Sequence, residues 1–131
     1  MNMKALNILF FLFLSNYFFS QELKEQIEFK IHFVKNSTKF RETKSFLDSI
    51  YKYKISTIRA NQEFIQLMPI IKADELKHDN FLHLKRCAKI IEYFHKEYGI
   101  DESVFIIIYS TQFPGSPQKE GVVSARNYSP G

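Results

Sequence analysis

The chain has one cysteine, no tryptophan, four glycines and four prolines among its 131 residues. A lone Cys87 closes no intrachain disulfide, so the domain must be held together by packing. The glycines stand in no Gly-x-x-x-x-Gly-Lys or Gly-x-Gly-x-x-Gly arrangement, which excludes the loops that cradle nucleotide phosphates. There is no Gly-x-Ser-x-Gly elbow, and Cys87 lies inside a helical pattern with no base assigned to it, so the sequence points away from an enzyme. Charge of one sign is lacking too: 18 Lys and Arg against 14 Asp and Glu leave a formal +4, read as scattered and without a nucleic-acid footprint. His78, Asp79 and His83 are near neighbours but follow no ligand spacing such as His-Glu-x-x-His, and neither a metal nor another cofactor is expected.

What is present begins with an apolar segment. Met1 to Ser20 carries one Lys, Lys4, then runs through Leu6 and Ile8 to Phe18 and Phe19 without an acidic residue, the layout of a secretory signal peptide cut after Ser20. Phe18, three residues before that cut, is larger than the small residue favoured there, which leaves an uncleaved membrane anchor as the alternative. The run is short for an anchor, since spanning a bilayer takes roughly 20 apolar residues. No Cys follows it to carry a lipid. Removing it leaves about 110 residues, Gln21 to Gly131, the size of one domain with no further membrane span.

Strand and helix signals alternate along that domain. Ile27, Phe29, Ile31 and Phe33 alternate with Glu28, Lys30 and His32, as in a strand with one face on a core. From about Arg41 the period changes, and Phe46, Leu47, Ile50 and Tyr51 mark one face of a helix running to roughly Lys54. Phe64 to Ile71 has a strand's composition, with Pro69 suggesting a sheet edge or an irregularity. The charged stretch from Lys72 to Asn80 reads as a solvated loop. Leu84, Cys87 or Ala88, Ile91, Phe94 and Tyr98 then recur at helical spacing, and Gly99 follows as a C-terminal cap. Val104 to Tyr109, without a polar face, reads as a strand inside a sheet. From about Phe113 the chain is rich in Pro, Gly and Ser and reads as mostly tail, with Val122 and Val123 as a weak fourth strand. The order βαβαβ predicts an α/β (α+β) sandwich with helices packed on a small mixed sheet.

The stretch Leu82 to Asp101, LHLKRCAKIIEYFHKEYGID, resembles the second helix of OmpA-like domains, the peptidoglycan-binding modules of Gram-negative envelopes. Leu82 takes the place of the motif Leu, His83 of its Ser, Arg86 of its Arg and Cys87 of its Ala, and Gly99-Ile100 closes the motif. Residues 70–75, IIKADE, are similar to the strand end that carries the family's Asp, here Asp74. The resemblance implies a periplasmic domain, possibly associated with the outer membrane, that grips the diaminopimelate of the cell-wall peptide. Asp74 would take the ligand's ammonium and Arg86, with its planar fork, the carboxylate. The family's Gly, three residues after its Asp, is Lys77 here. Two readings of Arg86 follow: a ligand group, or an ordinary solvated charge beside Lys85 and Lys89. Two readings of the domain follow as well: peptidoglycan binding, or a degenerate member acting as a protein interaction module in an envelope assembly. Arg86→Ala is expected to cost little stability if Arg86 is exposed.

Overall fold

The computed structural model describes residues 25–108 and 121–130. The expected signal segment and the first part of the expected tail lie outside them. Period-two alternation becomes β1 (Glu28–Phe33), whose buried residues are Phe29, Ile31 and Phe33. The next helical stretch is longer than its sequence pattern suggests. It comprises α1 (Lys44–Ile50), a π-helical turn over Tyr51–Ile55 and α2 (Ser56–Ala60), without a break. Thr43 caps its start by accepting the Phe46 N–H at 3.2 Å.

The π turn follows from the spacing of the core residues. Leu47, Ile50, Ile55 and Ile58 are all buried, but the step of five from Ile50 to Ile55 leaves them about 140° apart on a regular helix. One wide turn, with the Ser56 N–H bonding back to the Tyr51 carbonyl, brings Ile55 onto the core side. Hydroxyls take up carbonyls of the loosened turn: Ser56 Oγ donates to Lys52 O at 2.5 Å and Thr57 Oγ1 to Tyr53 O at 3.3 Å.

β2 (Phe64–Pro69) follows, then α3 (Ala73–His78), α4 (Leu82–Tyr98), β3 (Phe105–Ile107) and β4 (Gly121–Tyr128). The four strands form one mixed sheet in the order β1-β4-β2-β3. β4 runs antiparallel to both β1 and β2, with Val123 opposite Ile31 and Ala125 opposite Leu67, and β2 pairs parallel with β3. The expected mixed α/β sandwich is therefore present, with two corrections inside it. The weak fourth strand and tail of the sequence reading become, over Gly121–Tyr128, a long strand in the sheet interior. Of the apolar Val104–Tyr109 run, expected inside the sheet, Phe105–Ile107 supplies β3, the edge strand among the described residues, and Tyr109 lies outside them. The exchange has one cause: β4 enters between β1 and β2 and leaves β3 the outer place.

Pro69, which suggested an edge, is the last residue of the interior strand β2. The β2–β3 pairing ends earlier, at Leu67 with Ile107, so its missing N–H interrupts no ladder there. Ile31, Phe33, Ile65, Leu67, Phe105, Val123 and Ala125 form one face of the sheet and pack with Leu47, Ile50, Ile55, Ile58, Cys87, Ile90 and Phe94 from the helices. Gly99, at φ 69°, closes α4 as expected, donating its N–H to His95 O at 2.8 Å.

Candidate functional site

Arg86 sits in the second turn of α4 on the side facing the sheet, and its residue is only 2% exposed. A guanidinium there needs partners for its donors, because an unpaired buried charge costs several kcal/mol. Nη1 donates to Glu75 Oε1 at 2.9 Å and Nη2 to Glu75 Oε2 at 2.5 Å, the bidentate geometry of a fork on a carboxylate. Nε donates to the Ser37 carbonyl at 2.9 Å and Nη2 also to the Val34 carbonyl at 3.3 Å. The cation lies 5.4 Å from the centre of the Phe33 ring. Gly121 lies against it as well: a Cβ there would come within 1.8 Å of Nη1, so a side chain at the start of β4 would displace the guanidinium.

Glu75 is equally buried, and its Oε2 also accepts the Asn36 N–H at 2.9 Å. Asn36 reaches that position at φ 56°, a left-handed conformation that Asn tolerates better than most residues. Burial alone would push the Glu75 carboxyl up. The Arg86 and Asn36 hydrogen bonds and the neighbouring cations outweigh it, and its pKa is held below the ordinary value. The pair thus ties α3, α4, the end of β1 and the start of β4 to one another.

Asp74 is placed elsewhere. It lies in the first turn of α3 rather than at a strand end, with its side chain 62% exposed and its carboxylate 3.8 Å from Lys35 Nζ. Successive helical residues point about 100° apart, so with Glu75 turned inward Asp74 faces water. No hydrogen bond or ion pair joins Asp74 to Arg86. The cavity beside the buried pair, bordered by Ile70, Ile71, Leu76, Leu82 and His83, measures about 10 Å³, room for about one water molecule. Burial, and then the Arg86 cation, hold the His83 imidazole below its ordinary range.

Asp79 accepts the Phe81 N–H at 2.9 Å and Lys85 Nζ at 2.7 Å, and His78 is exposed. Among the described residues no three of His, Cys, Asp and Glu are grouped as metal ligands. Cys87 is buried, and burial pushes its thiol up to about 12, so it holds no thiolate at neutral pH. Arg126 donates from Nε to Gln66 Oε1 at 2.9 Å on the sheet face away from the helices.

Sequence reasoning missed Glu75, Phe33 and Gly121 as the surroundings of Arg86. Glu75 stands in a charge run that reads as solvated, and nothing in KADELKHD distinguishes the inward acid from the outward one. The isolated Gly121 ahead of Val122 and Val123 was the one available sign of a close approach. No family model, curated protein or solved structure matches the chain. Fold and site together define a mixed α/β domain locked by a buried arginine–glutamate pair.

Proposed function

We propose that the domain is a non-catalytic interaction module of an exported envelope protein, with an OmpA-like arrangement of elements and no diaminopimelate grip. One observation carries this reading: the guanidinium that would hold a ligand carboxylate already holds Glu75 and two main-chain carbonyls. An arginine so engaged offers a ligand nothing unless the pair opens, and the cavity that described residues border beside it has room for about one water molecule. The reading keeps the export suggested by Met1 to Ser20 and puts the domain's work on its surface, where the exposed ring of Phe81 ahead of α4 offers a point of contact.

The test is co-sedimentation of the chain from Gln21 with purified peptidoglycan sacculi, beside an Asp74→Asn variant. Asp74 is exposed, so this change leaves the fold intact. Wild type and variant are both expected to stay in the supernatant. Saturable pelleting of the wild type that Asp74→Asn removes would restore the cell-wall reading. A photo-crosslinker at Phe81 is expected to trap discrete envelope proteins in cells, and its failure to trap any would count against a protein partner at that surface.

A further inference from the structure

The formal excess of +4 is less scattered than the sequence suggested. Residues 39–59 hold six basic residues and two acidic ones, and the part that forms α1 and the π turn, residues 44–55, holds three lysines and one acid. Both acids are engaged. Glu42 accepts the His32 main-chain N–H at 2.8 and 3.0 Å and pairs with His32 Nδ1 at 2.6 Å. Asp48 accepts the Tyr93 hydroxyl at 3.2 Å and that of Tyr98 as well. Lys44, Lys52 and Lys54 are all exposed.

Two aromatic rings stand among these lysines. Phe46 is 47% exposed and Tyr53 66% exposed, whereas Tyr51, the third aromatic residue of this helical stretch, turns inward and stacks on Tyr98 at 3.8 Å. Lys52 Nζ lies 5.4 Å from the centre of the Tyr53 ring. Phe46 and Tyr53 are seven residues apart; the wide turn that begins at Tyr51 offsets them from the two-turn alignment of a regular helix, and both rings remain exposed.

We infer that this face of α1 and the π turn docks on an anionic lipid bilayer. The surface is a convex helix, which gives an extended peptide no groove to fill, whereas a bilayer needs only cations for its headgroups and rings that enter the interface. Lysine stems reach along apolar surface and keep their ammonium groups in water, and Phe and Tyr suit the boundary between acyl chains and headgroups. No helix among the described residues is long and apolar enough to cross one. This inference goes beyond the protein-interaction reading and stands if that reading fails.

The experiment is vesicle co-sedimentation of the chain from Gln21, which contains every described strand and helix and omits the apolar leader. Vesicles of phosphatidylcholine with one part in three phosphatidylglycerol are compared with pure phosphatidylcholine. Binding is expected on the anionic vesicles only, weakening as salt shortens the reach of the charges. Changing Lys44, Lys52 and Lys54 together to Gln should weaken it about 100-fold, at about 1 kcal/mol per lysine. Phe46→Ser with Tyr53→Ser should weaken it as well, and circular dichroism would confirm that both variants are folded. Absent binding, equal binding to neutral vesicles, or binding indifferent to either variant would overturn the inference. Capture by immobilised polyglutamate without vesicle binding would overturn it in favour of an acidic protein partner.

Discussion

Arg86 shows how one side chain reverses its meaning with its surroundings. As an exposed charge it would contribute almost nothing to stability, and its replacement would stay within about 0.5 kcal/mol. Buried against Glu75, it is half of a pair whose breaking strands a charge in the core. Arg86→Ala is therefore expected to destabilise the domain by about 3–5 kcal/mol, and Glu75→Ala by a similar amount, measured by urea unfolding. The double change Arg86→Met with Glu75→Leu removes both charges at comparable volume and should recover most of the loss, because replacing a buried pair with apolar residues is often neutral. Single variants as stable as the wild type would show that the pair is open to water. Gly121→Ala tests the same contact from the sheet side: its methyl cannot share space with Nη1. The guanidinium must then leave Glu75, and the loss should approach that of Arg86→Ala.

At the scale of elements, legibility followed periodicity. β1 was readable because each of its core residues alternates with a polar one, and α4 because Cys87, Phe94 and Gly99 obey the helical repeat, although Leu82 and Ile90 rather than Leu84 and Ile91 complete its buried stripe. β4 was not, because its inward positions are filled by small residues, Gly121 and Ala125, beside Val123, and its outward ones by Ser124 and Arg126, a composition close to that of a loop. The second half of the first helical stretch was missed because the π turn breaks the period on which the reading depended. α3 was missed because six residues are too few to show an amphipathic pattern, and that omission concealed Glu75. The end of the α2 stretch yields a prediction of its own. Gln62 adopts φ 58° while the Glu63 N–H bonds back to Ile58 O at 3.1 Å, the place in a helix-ending turn that usually belongs to Gly. A left-handed residue with a side chain costs about 1–2 kcal/mol, part of which Gly returns through the larger entropy of its unfolded chain. Gln62→Gly is expected to gain about 0.5–1 kcal/mol and Gln62→Val to lose stability, read as shifts in the thermal midpoint.

For the molecule as a whole, the tied groups predict how stability depends on pH. The Glu75 carboxyl titrates below its unfolded value of 4.5, so the unfolded chain takes up its proton first as the solution is acidified. Its contribution is complete above about pH 5 and is lost as pH falls through the lowered folded value. At the alkaline end the shifts run the other way. Burial pushes the Cys87 thiol from 9.0 up to about 12. Burial and the Asp48 carboxylate push the Tyr93 hydroxyl from 10.0 up to about 12, and Tyr98, sharing the same carboxylate, moves in the same direction. The folded domain holds these protons longer than the unfolded chain does, so their contribution is complete below about pH 9 and declines towards 12. Urea midpoints should therefore form a plateau between about pH 5 and 9 with a shoulder falling on each side. Glu75→Gln should flatten the acid shoulder while lowering the plateau. Tyr93→Phe with Tyr98→Phe should flatten the alkaline one above pH 10, leaving the Cys87 contribution from pH 9. An acid shoulder that persists unchanged in Glu75→Gln would place the acid sensitivity in other carboxylates and show that the buried pair is not what holds α3 and α4 to the sheet.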